Sequence, residues 1–169
     1  VALQVNLSCP NTGENLHELE DEAIEILRIL SGIGIAILPK FNVMTSPKTV
    51  QRINGEVAID GVCISNTIPY GQLPEAINWN DMFGTVSPLE SLGGGGLSGA
   101  PLFKLVLDWV KRARDIGMDL PIVAGGGIMH ARQVRTLFNA GANSAAIATV
   151  IMLRPWRVPS IIEAAYSSL

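Results

Sequence analysis

Several features are scarce in this chain of 169 residues, and each scarcity excludes a class of protein. Only two cysteines occur, far apart in sequence, so neither a disulfide framework nor a cysteine-type metal cluster is expected. Aromatic residues make up 5% of the chain, and the net charge of −3 argues against a broad nucleic-acid surface. No apolar run reaches the roughly 18 residues that a membrane span requires. The remaining class is a globular protein with reduced thiols.

Glycine is abundant, with 17 residues, and short apolar segments alternate with amphipathic ones. This alternation predicts strands over 2–7, 33–38, 57–65, 121–124 and 144–149. It predicts helices over 16–30, 47–53, 101–116, 130–140 and 158–168, with Ser46 as the N-cap of the second helix. Residues 66–96 form a long irregular loop, which in compact domains is usually functional or disordered.

Alternating strands and helices predict parallel strands joined by right-handed crossovers. Two architectures fit, an open doubly wound sheet and part of a (β/α) barrel, which needs eight strands and typically about 250 residues. Candidate functional residues follow all five predicted strands, whereas an open sheet binds mainly at one switch point. We therefore expect an α/β fold in one domain over residues 1–169, a partial (β/α)8 TIM barrel of about five parallel β/α units.

The most informative motif, Ser8-Cys9-Pro10-Asn11-Thr12, comes directly after the first predicted strand. A thiol at Cys9 between the carboxamides of Asn6 and Asn11 suits a site that holds a flat polar ring and moves a proton. A carboxamide both donates and accepts hydrogen bonds, which suits the polar edge of such a ring. A thiol acts as a base only when its pKa falls from about 8.5 toward neutrality. The alternative interpretation of Cys9 is a small buried hydrophobe.

Two glycine-rich segments, Gly93–Gly99 and Gly125–Ile128, each precede a predicted helix. Backbone amides without side chains can approach a cofactor closely, and helix N-termini bind phosphate. Neither segment is a dinucleotide fingerprint, because neither follows the first strand with an acidic residue at the required distance. A tight turn explains either segment alone, but two such segments in one chain favour a cofactor.

Taken in order, these motifs resemble those of the dihydroorotate dehydrogenase family. The matching segments are Asn6–Asn11, Lys40, Asn66-Thr67, Gly94–Gly99 and Gly125–Ile128. The resemblance is to the carboxyl-terminal portion of the family, strands four to eight of its barrel, and covers nearly the whole chain. It implies an oxidoreductase of pyrimidine biosynthesis, a flavoprotein that oxidises dihydroorotate to orotate with FMN as the hydride acceptor.

The resemblance implies a role for each matching residue. Cys9 is the catalytic base, which takes a proton from C5 of dihydroorotate while hydride leaves C6 for the flavin. Lys40 contacts the flavin near N1 and O2, where a positive charge stabilises the reduced ring. The alternative for Lys40 is a solvated loop lysine. The residues that the resemblance assigns to substrate binding are Asn6, Asn11, Asn66 and Thr67.

The phosphate site is expected at the loops after the last two strands, as is common in barrels. Cys63 is interpreted as a packing residue, and no metal is expected because no Cys, His or carboxylate set has ligand spacing. The residues that the resemblance assigns to FMN binding are Lys40, Ser98 and Gly99 along the ring or ribityl chain and Gly126, Gly127, Ala148 and Thr149 at the phosphate.

The class within the family stays open. Cysteine at the base position resembles the soluble class, whereas Asn11-Thr12 and the segments 65–67 and 97–102 resemble the membrane-associated class. The electron acceptor is therefore fumarate, NAD through a partner subunit, or quinone. The FMN domain of dihydropyrimidine dehydrogenase is less similar, since it has histidine where this chain has Asn11. The expected location is the cytoplasm, unless an upstream segment anchors the protein, and a second copy or an electron-transfer subunit is the implied partner.

The family's first three strands have no counterpart in residues 1–169, so we expect a fragment that is inactive alone. Its exposed sheet edges would invite association, and a soluble monomer with a cooperative melt would contradict this hypothesis. Two further functions stay open. One is a non-catalytic piece that needs a completing chain, and the other is a phosphate-binding barrel enzyme that takes phosphate esters at Gly126-Gly127 without flavin.

Overall fold

The computed structural model describes residues 1–7 and 16–168. The strands are β1 (Ala2–Asn6), β2 (Ala36–Phe41), β3 (Val62–Ile64), β4 (Ile68–Pro69), β5 (Gly96–Leu97), β6 (Ile122–Gly125) and β7 (Ser144–Ala146). The helices are α1 (Leu16–Leu30), α2 (Pro47–Glu56), α3 (Trp79–Phe83), α4 (Leu102–Asp115), α5 (Ala131–Asn139), α6 (Thr149–Leu153) and α7 (Val158–Tyr166). Short 3₁₀ helices cover Ser31–Ile33, Glu90–Leu92 and Pro155–Arg157. No described helix combines the length and the apolar character that a bilayer crossing requires.

Five strands form one parallel sheet in the order β1-β2-β3-β6-β7, which is their order along the chain. A doubly wound sheet reverses its strand order at a switch point, and the described sheet has no such reversal. A sequential parallel order, with at least one helix between successive strands and after the last, is the arrangement of a (β/α) barrel. The topology therefore favours a partial barrel over the open-sheet alternative.

The core lies between the sheet and the helices that cover its outer face. In α4 the buried residues recur every three or four positions, as a helix with one apolar face requires. Trp109 on this face is fully buried, and its indole N–H donates to the carbonyl oxygen of Thr45 at 2.7 Å. This hydrogen bond ties α4 to the loop that follows β2. The predicted N-cap Ser46 accepts a hydrogen bond from the Thr49 N–H at 3.1 Å and starts α2.

Arg114 joins the ends of β6 and β7 that lie opposite the strand exits. Its guanidinium donates to the carbonyl oxygen of Gly141 at 2.8 and 3.0 Å and to that of Leu120 at 3.0 Å. It also donates to the side-chain oxygen of Asn143 at 2.8 Å, which accepts from the Ile122 N–H at 3.0 Å. These hydrogen bonds hold β6 and β7 together at the ends opposite the glycine turn that follows β6.

Several element boundaries differ from the prediction. The second strand begins at Ala36 because residues 31–33 form a 3₁₀ helix, which Gly34 ends with a φ of 70°. The strand also ends later than predicted, at Phe41, so Lys40 lies within β2 rather than after it. The third strand is shorter than predicted, since the Val57 N–H donates to the Ile53 carbonyl at 2.8 Å and belongs to the end of α2.

The predicted irregular loop contains regular structure. β4 and β5 pair antiparallel, and α3 lies between them in sequence. Tyr70 and Trp79 pack with ring centroids 5.0 Å apart, and the Trp79 indole N–H donates to the Gln72 carbonyl at 2.8 Å. Local turns and aromatic contacts thus organise a segment whose sequence shows no periodicity.

Candidate functional site

A cavity of about 270 Å³ opens where the parallel strands end. The carboxyl ends of parallel strands in a barrel meet at one face, so residues that follow different strands come together there. Asn66 and Thr67, two of the predicted substrate ligands, line the cavity. All the residues predicted to bind the cofactor line it as well, namely Lys40, Ser98, Gly99, Gly126, Gly127, Ala148 and Thr149.

The carboxamides of Asn6 and Asn66 connect the exits of β1 and β3. The Asn66 side-chain nitrogen donates to the Asn6 side-chain oxygen at 2.8 Å. The Asn66 side-chain oxygen accepts from the Thr67 N–H at 3.0 Å, and the Asn66 N–H donates to the Phe41 carbonyl at 2.9 Å. These bonds orient three predicted substrate ligands relative to one another, although Asn6 itself does not belong to the cavity lining.

The predicted base Cys9 and the predicted substrate ligand Asn11 lie outside the described residues. The chain is described up to Leu7, whose N–H donates to the Lys40 carbonyl at 3.1 Å. Leu7, the last residue described before Cys9, therefore lies beside Lys40.

Lys40 lies between polar groups of both neighbouring strands. In the sheet register it is opposite Asn6 of β1 and opposite Cys63 of β3. Burial raises the pKa of the Cys63 thiol, and the nearby Lys40 ammonium opposes this rise without cancelling it. The thiol thus stays protonated at neutral pH, so Cys63 adds no negative charge beside Lys40.

Several residues that sequence reasoning did not assign to the site also line the cavity, among them Cys63 and Gln4. Cys63 packs in the core with 5% exposure, yet its side chain borders the cavity as well. Gln4 borders it from β1. A signal for Gln4 was present, because alternate residues of a strand share a face and Gln4 precedes the predicted ligand Asn6 by two residues. For Cys63, no assigned residue lies two positions away in the strand.

The glycine-rich turn after β6 packs closely against the start of α4. Gly127 has a φ of +79°, and a Cβ placed there would lie 2.3 Å from the backbone nitrogen of Phe103. Gly126 has a φ of +99° but more space, with its nearest neighbours at 3.4 Å. Only glycine therefore fits at position 127, and its backbone borders the cavity without a side chain in the way.

The amino end of α5 lies beyond the glycine turn, one residue after the predicted start at 130. The helix begins at Ala131, and the Gln133 side-chain oxygen accepts the N–H groups of Met129 at 2.7 Å and His130 at 3.2 Å. The backbone amides closest to the cavity are therefore those of the glycine turn, rather than those of the helix end.

The loop before α4 contacts the start of α6, and both segments line the cavity. The Thr149 hydroxyl donates to the Ser98 hydroxyl at 3.5 Å. A Cβ on Gly99, which has a φ of +87°, would approach the Thr149 methyl group to 3.2 Å. The cavity thus has one side with a cation and carboxamides and another with hydroxyls and bare glycine backbone. Among the side chains that the structure describes, no group of three or more His, Cys, Asp or Glu could hold a metal ion.

Comparison with protein families and curated proteins gives the same result throughout. The family model described as Dihydroorotate dehydrogenase matches residues 1–169. Two similar relatives are catalytic subunits of dihydroorotate dehydrogenase B (NAD(+)). The protein from Streptococcus pneumoniae is 24% identical and that from Bacillus caldolyticus 28% identical, each over 169 residues. The alignments cover 96% and 95% of this chain and 51% and 50% of the relatives, so the chain spans about half the length of the curated relatives it matches.

Two solved structures of DHODH from Eimeria tenella share the fold. The complex with ferulenol is 19% identical, with a TM-score of 0.68, and the match covers 96% of this chain and 48% of that one. The ligand-free type is 23% identical, with a TM-score of 0.68, and the match covers 96% and 50%. The expected partial barrel of parallel β/α units is confirmed.

Proposed function

Because this chain belongs to the dihydroorotate dehydrogenase family, we propose that its cavity serves the oxidation of dihydroorotate to orotate with FMN as the hydride acceptor, in de novo pyrimidine biosynthesis. The observation that carries the proposal is the convergence of three groups on one cavity. Lys40, the Asn66-Thr67 pair and the Gly126-Gly127 turn come from different strand exits and line the same space.

The residues present fit FMN. The Gly127 position, which a Cβ would fill, brings bare backbone to the cavity, and Thr149 supplies a hydroxyl beside it. Backbone amides and hydroxyls of this kind bind phosphate. We assign the phosphate to Gly126, Gly127, Ala148 and Thr149, and the ribityl chain or ring to Ser98 and Gly99. When bound, FMN accepts the hydride that leaves C6 of dihydroorotate.

Lys40 supplies the positive charge of the site. It belongs to β2, which lies between β1 and β3, and it would contact the flavin ring when FMN is bound. A fixed cation at the place where negative charge develops lowers the barrier more than it stabilises the ground state. Since the Cys63 thiol stays protonated, it does not neutralise this charge.

The carboxamides hold the substrate and Cys9 moves the proton. Asn6, Asn11, Asn66 and Thr67 would pair with the alternating carbonyl and N–H groups of the pyrimidine ring. The bond between Asn66 and Asn6 at 2.8 Å limits the orientations that their carboxamides can take. Cys9 would take the C5 proton, for which its thiolate form is required.

We also propose that residues 1–169 form one domain, the carboxyl-terminal part of the barrel. Within the described sheet, β1 and β7 each pair with a single strand, which supports further β/α units at both outer edges. The relatives named above are catalytic subunits of an NAD(+)-type enzyme. This supports NAD, reached through a partner subunit, as the acceptor. A cytoplasmic location is part of the proposal as well.

Anaerobic titration of the chain, alone and with further β/α units supplied, tests the proposal. FMN binding is followed by flavin fluorescence, and dihydroorotate should then bleach the visible absorbance. Cys9→Ala should retain FMN and slow the bleaching by about 10²- to 10⁴-fold. Lys40→Met should weaken FMN binding, whereas Lys48→Met, an exposed lysine of α2, should not.

Each other outcome has a distinct meaning. Uptake of FMN only when further β/α units are supplied supports the non-catalytic piece. Binding of phosphate esters at Gly126-Gly127 without FMN supports a barrel enzyme without redox chemistry. Retained FMN that dihydroorotate does not bleach contradicts the proposed substrate.

A further inference from the structure

We propose that Gln4 is a further cofactor-contacting residue, whose carboxamide pairs with the polar edge of the flavin ring beside Lys40. The inference rests on the proposed function and deepens it, because no role in the site follows for Gln4 from the family motifs quoted above. Its basis is the position of Gln4 in the sheet, the surroundings of its side chain, and the chemistry of the carboxamide.

The strand places Gln4 on the face of the cavity. Alternate residues of a strand share a face, so Gln4 lies on the same side of β1 as Asn6. The opposite side carries Val5, which packs against the hydrophobic core. Gln4 itself is exposed and borders the cavity. Its side chain therefore belongs to the barrel interior rather than to the helix layer.

The register places Gln4 beside Lys40. Gln4 is opposite Leu38, and Asn6 is opposite Lys40. Gln4 and Lys40 are thus diagonal neighbours on one face of adjacent strands, which lie about 4.8 Å apart. Both side chains are long, and both line the cavity. A flat ring that contacts the lysine is therefore within reach of the carboxamide.

A glutamine at this position is unusual for a packing role. The interior of a (β/α) barrel is filled mainly by branched apolar side chains. A ligand that covers the exposed Gln4 would remove its carboxamide from water, which costs free energy unless the ligand hydrogen-bonds to it. Within residues 1–7 and 16–168, the Gln4 side chain forms no hydrogen bond, so its donors and acceptor remain available to a ligand.

The chemistry selects a ring with alternating carbonyl and N–H groups. A carboxamide offers two N–H donors and one carbonyl acceptor, and so can pair with both groups at once. Both the flavin and dihydroorotate have such an edge. Gln4 lies two residues deeper along β1 than Asn6, which is joined to Asn66 at the strand exits. The deeper position favours the flavin, with the substrate nearer the opening.

Binding measurements on three variants test the inference. Gln4→Leu should weaken FMN binding about 3- to 10-fold, the loss expected for one hydrogen bond. Gln4→Glu places a carboxylate beside Lys40, and should shift the FMN reduction potential to a more negative value because it disfavours added electrons. Gln72→Leu is the matched control, since Gln72 is exposed and lies outside the cavity lining.

Circular dichroism of each variant confirms folding, and orotate affinity is measured on the FMN-loaded protein. If Gln4→Leu binds FMN like the control with an unchanged potential, the inference is wrong and the proposed function stands. If Gln4→Leu weakens orotate binding alone, Gln4 contacts the substrate and the inference is again wrong. If the folded parent chain takes up no FMN, either alone or with further β/α units supplied, the proposed function fails first, and the inference with it.

Discussion

The middle of the parallel sheet and its two ends differ in how they are covered. Val62 and Ile64 of β3 and Ile122 and Ala124 of β6 are buried, whereas β1 and β7 expose alternate residues. The middle strands have neighbours on both sides, and each end strand pairs with one described strand only. The packed core of the sheet therefore lies at its centre. Residues of both the middle strands and the end strands line the cavity.

Apolar side chains at the ends repeat this difference. Ile29 and Ile33 are exposed near β1, and Met152, Leu153 and Trp156 are exposed after β7. Single exposed apolar residues are ordinary, but groups of them are typical of surfaces that pack against other polypeptide. We therefore expect the buried centre of the sheet to contribute most of the free energy of unfolding, and its two ends to be surfaces that pack against other polypeptide.

The largest expected effect is the difference in stability loss between substitutions of two tryptophans. Trp109 is 0% exposed and Trp156 is 71% exposed. Trp109→Ala should lower the free energy of unfolding by about 3–5 kcal/mol, because it leaves a cavity and an unpaired Thr45 carbonyl. Trp156→Ala should change it by less than about 0.5 kcal/mol. Urea denaturation measures both, and equal losses would contradict the division into centre and ends.

A smaller difference in stability loss is expected between substitutions of two glycines that both have a positive φ. Gly93 has a φ of +88° and open space where a Cβ would be, whereas at Gly127 the Phe103 backbone occupies that space. Gly93→Ala should cost only the strain of the left-handed conformation, of order 1–3 kcal/mol. Gly127→Ala should cost about 1 kcal/mol or more beyond that, because α4 must move. If the two variants unfold at the same urea concentration, Gly127 is not held by packing.

The smallest expected effect is a pH dependence of stability that arises from His130, the residue before α5. Burial lowers the pKa of His130, and the guanidinium groups of Arg132, Arg157 and Arg154 lower it further. Below the unfolded value of 6.5 the unfolded chain binds the proton more readily, so stability should fall as pH drops through that value. Melting temperatures at about pH 7.5 and about pH 5.5 measure the fall. His130→Asn should reduce it, and an unchanged pH dependence would exclude His130 as its source.

Much of the fold was predictable because its signals are local. The bounds of α1 follow from apolar residues at helical spacing, and they agree with the structure. Ser46 and Pro47 start α2 as predicted, since capping and proline geometry act within one turn. The ordered motifs also identified the family, which matches all of the chain. The roles of the individual site residues stay predictions.

What sequence alone determined about this protein is the alternation of strands and helices, the order of its motifs and the family to which they belong. Tertiary structure decided which side chains share the cavity, as the diagonal pair Gln4 and Lys40 shows, and which glycine is required by packing, as Gly127 shows. The reason is physical. Capping and periodicity act over a few residues, whereas register and close approach depend on segments that meet only when the chain has folded.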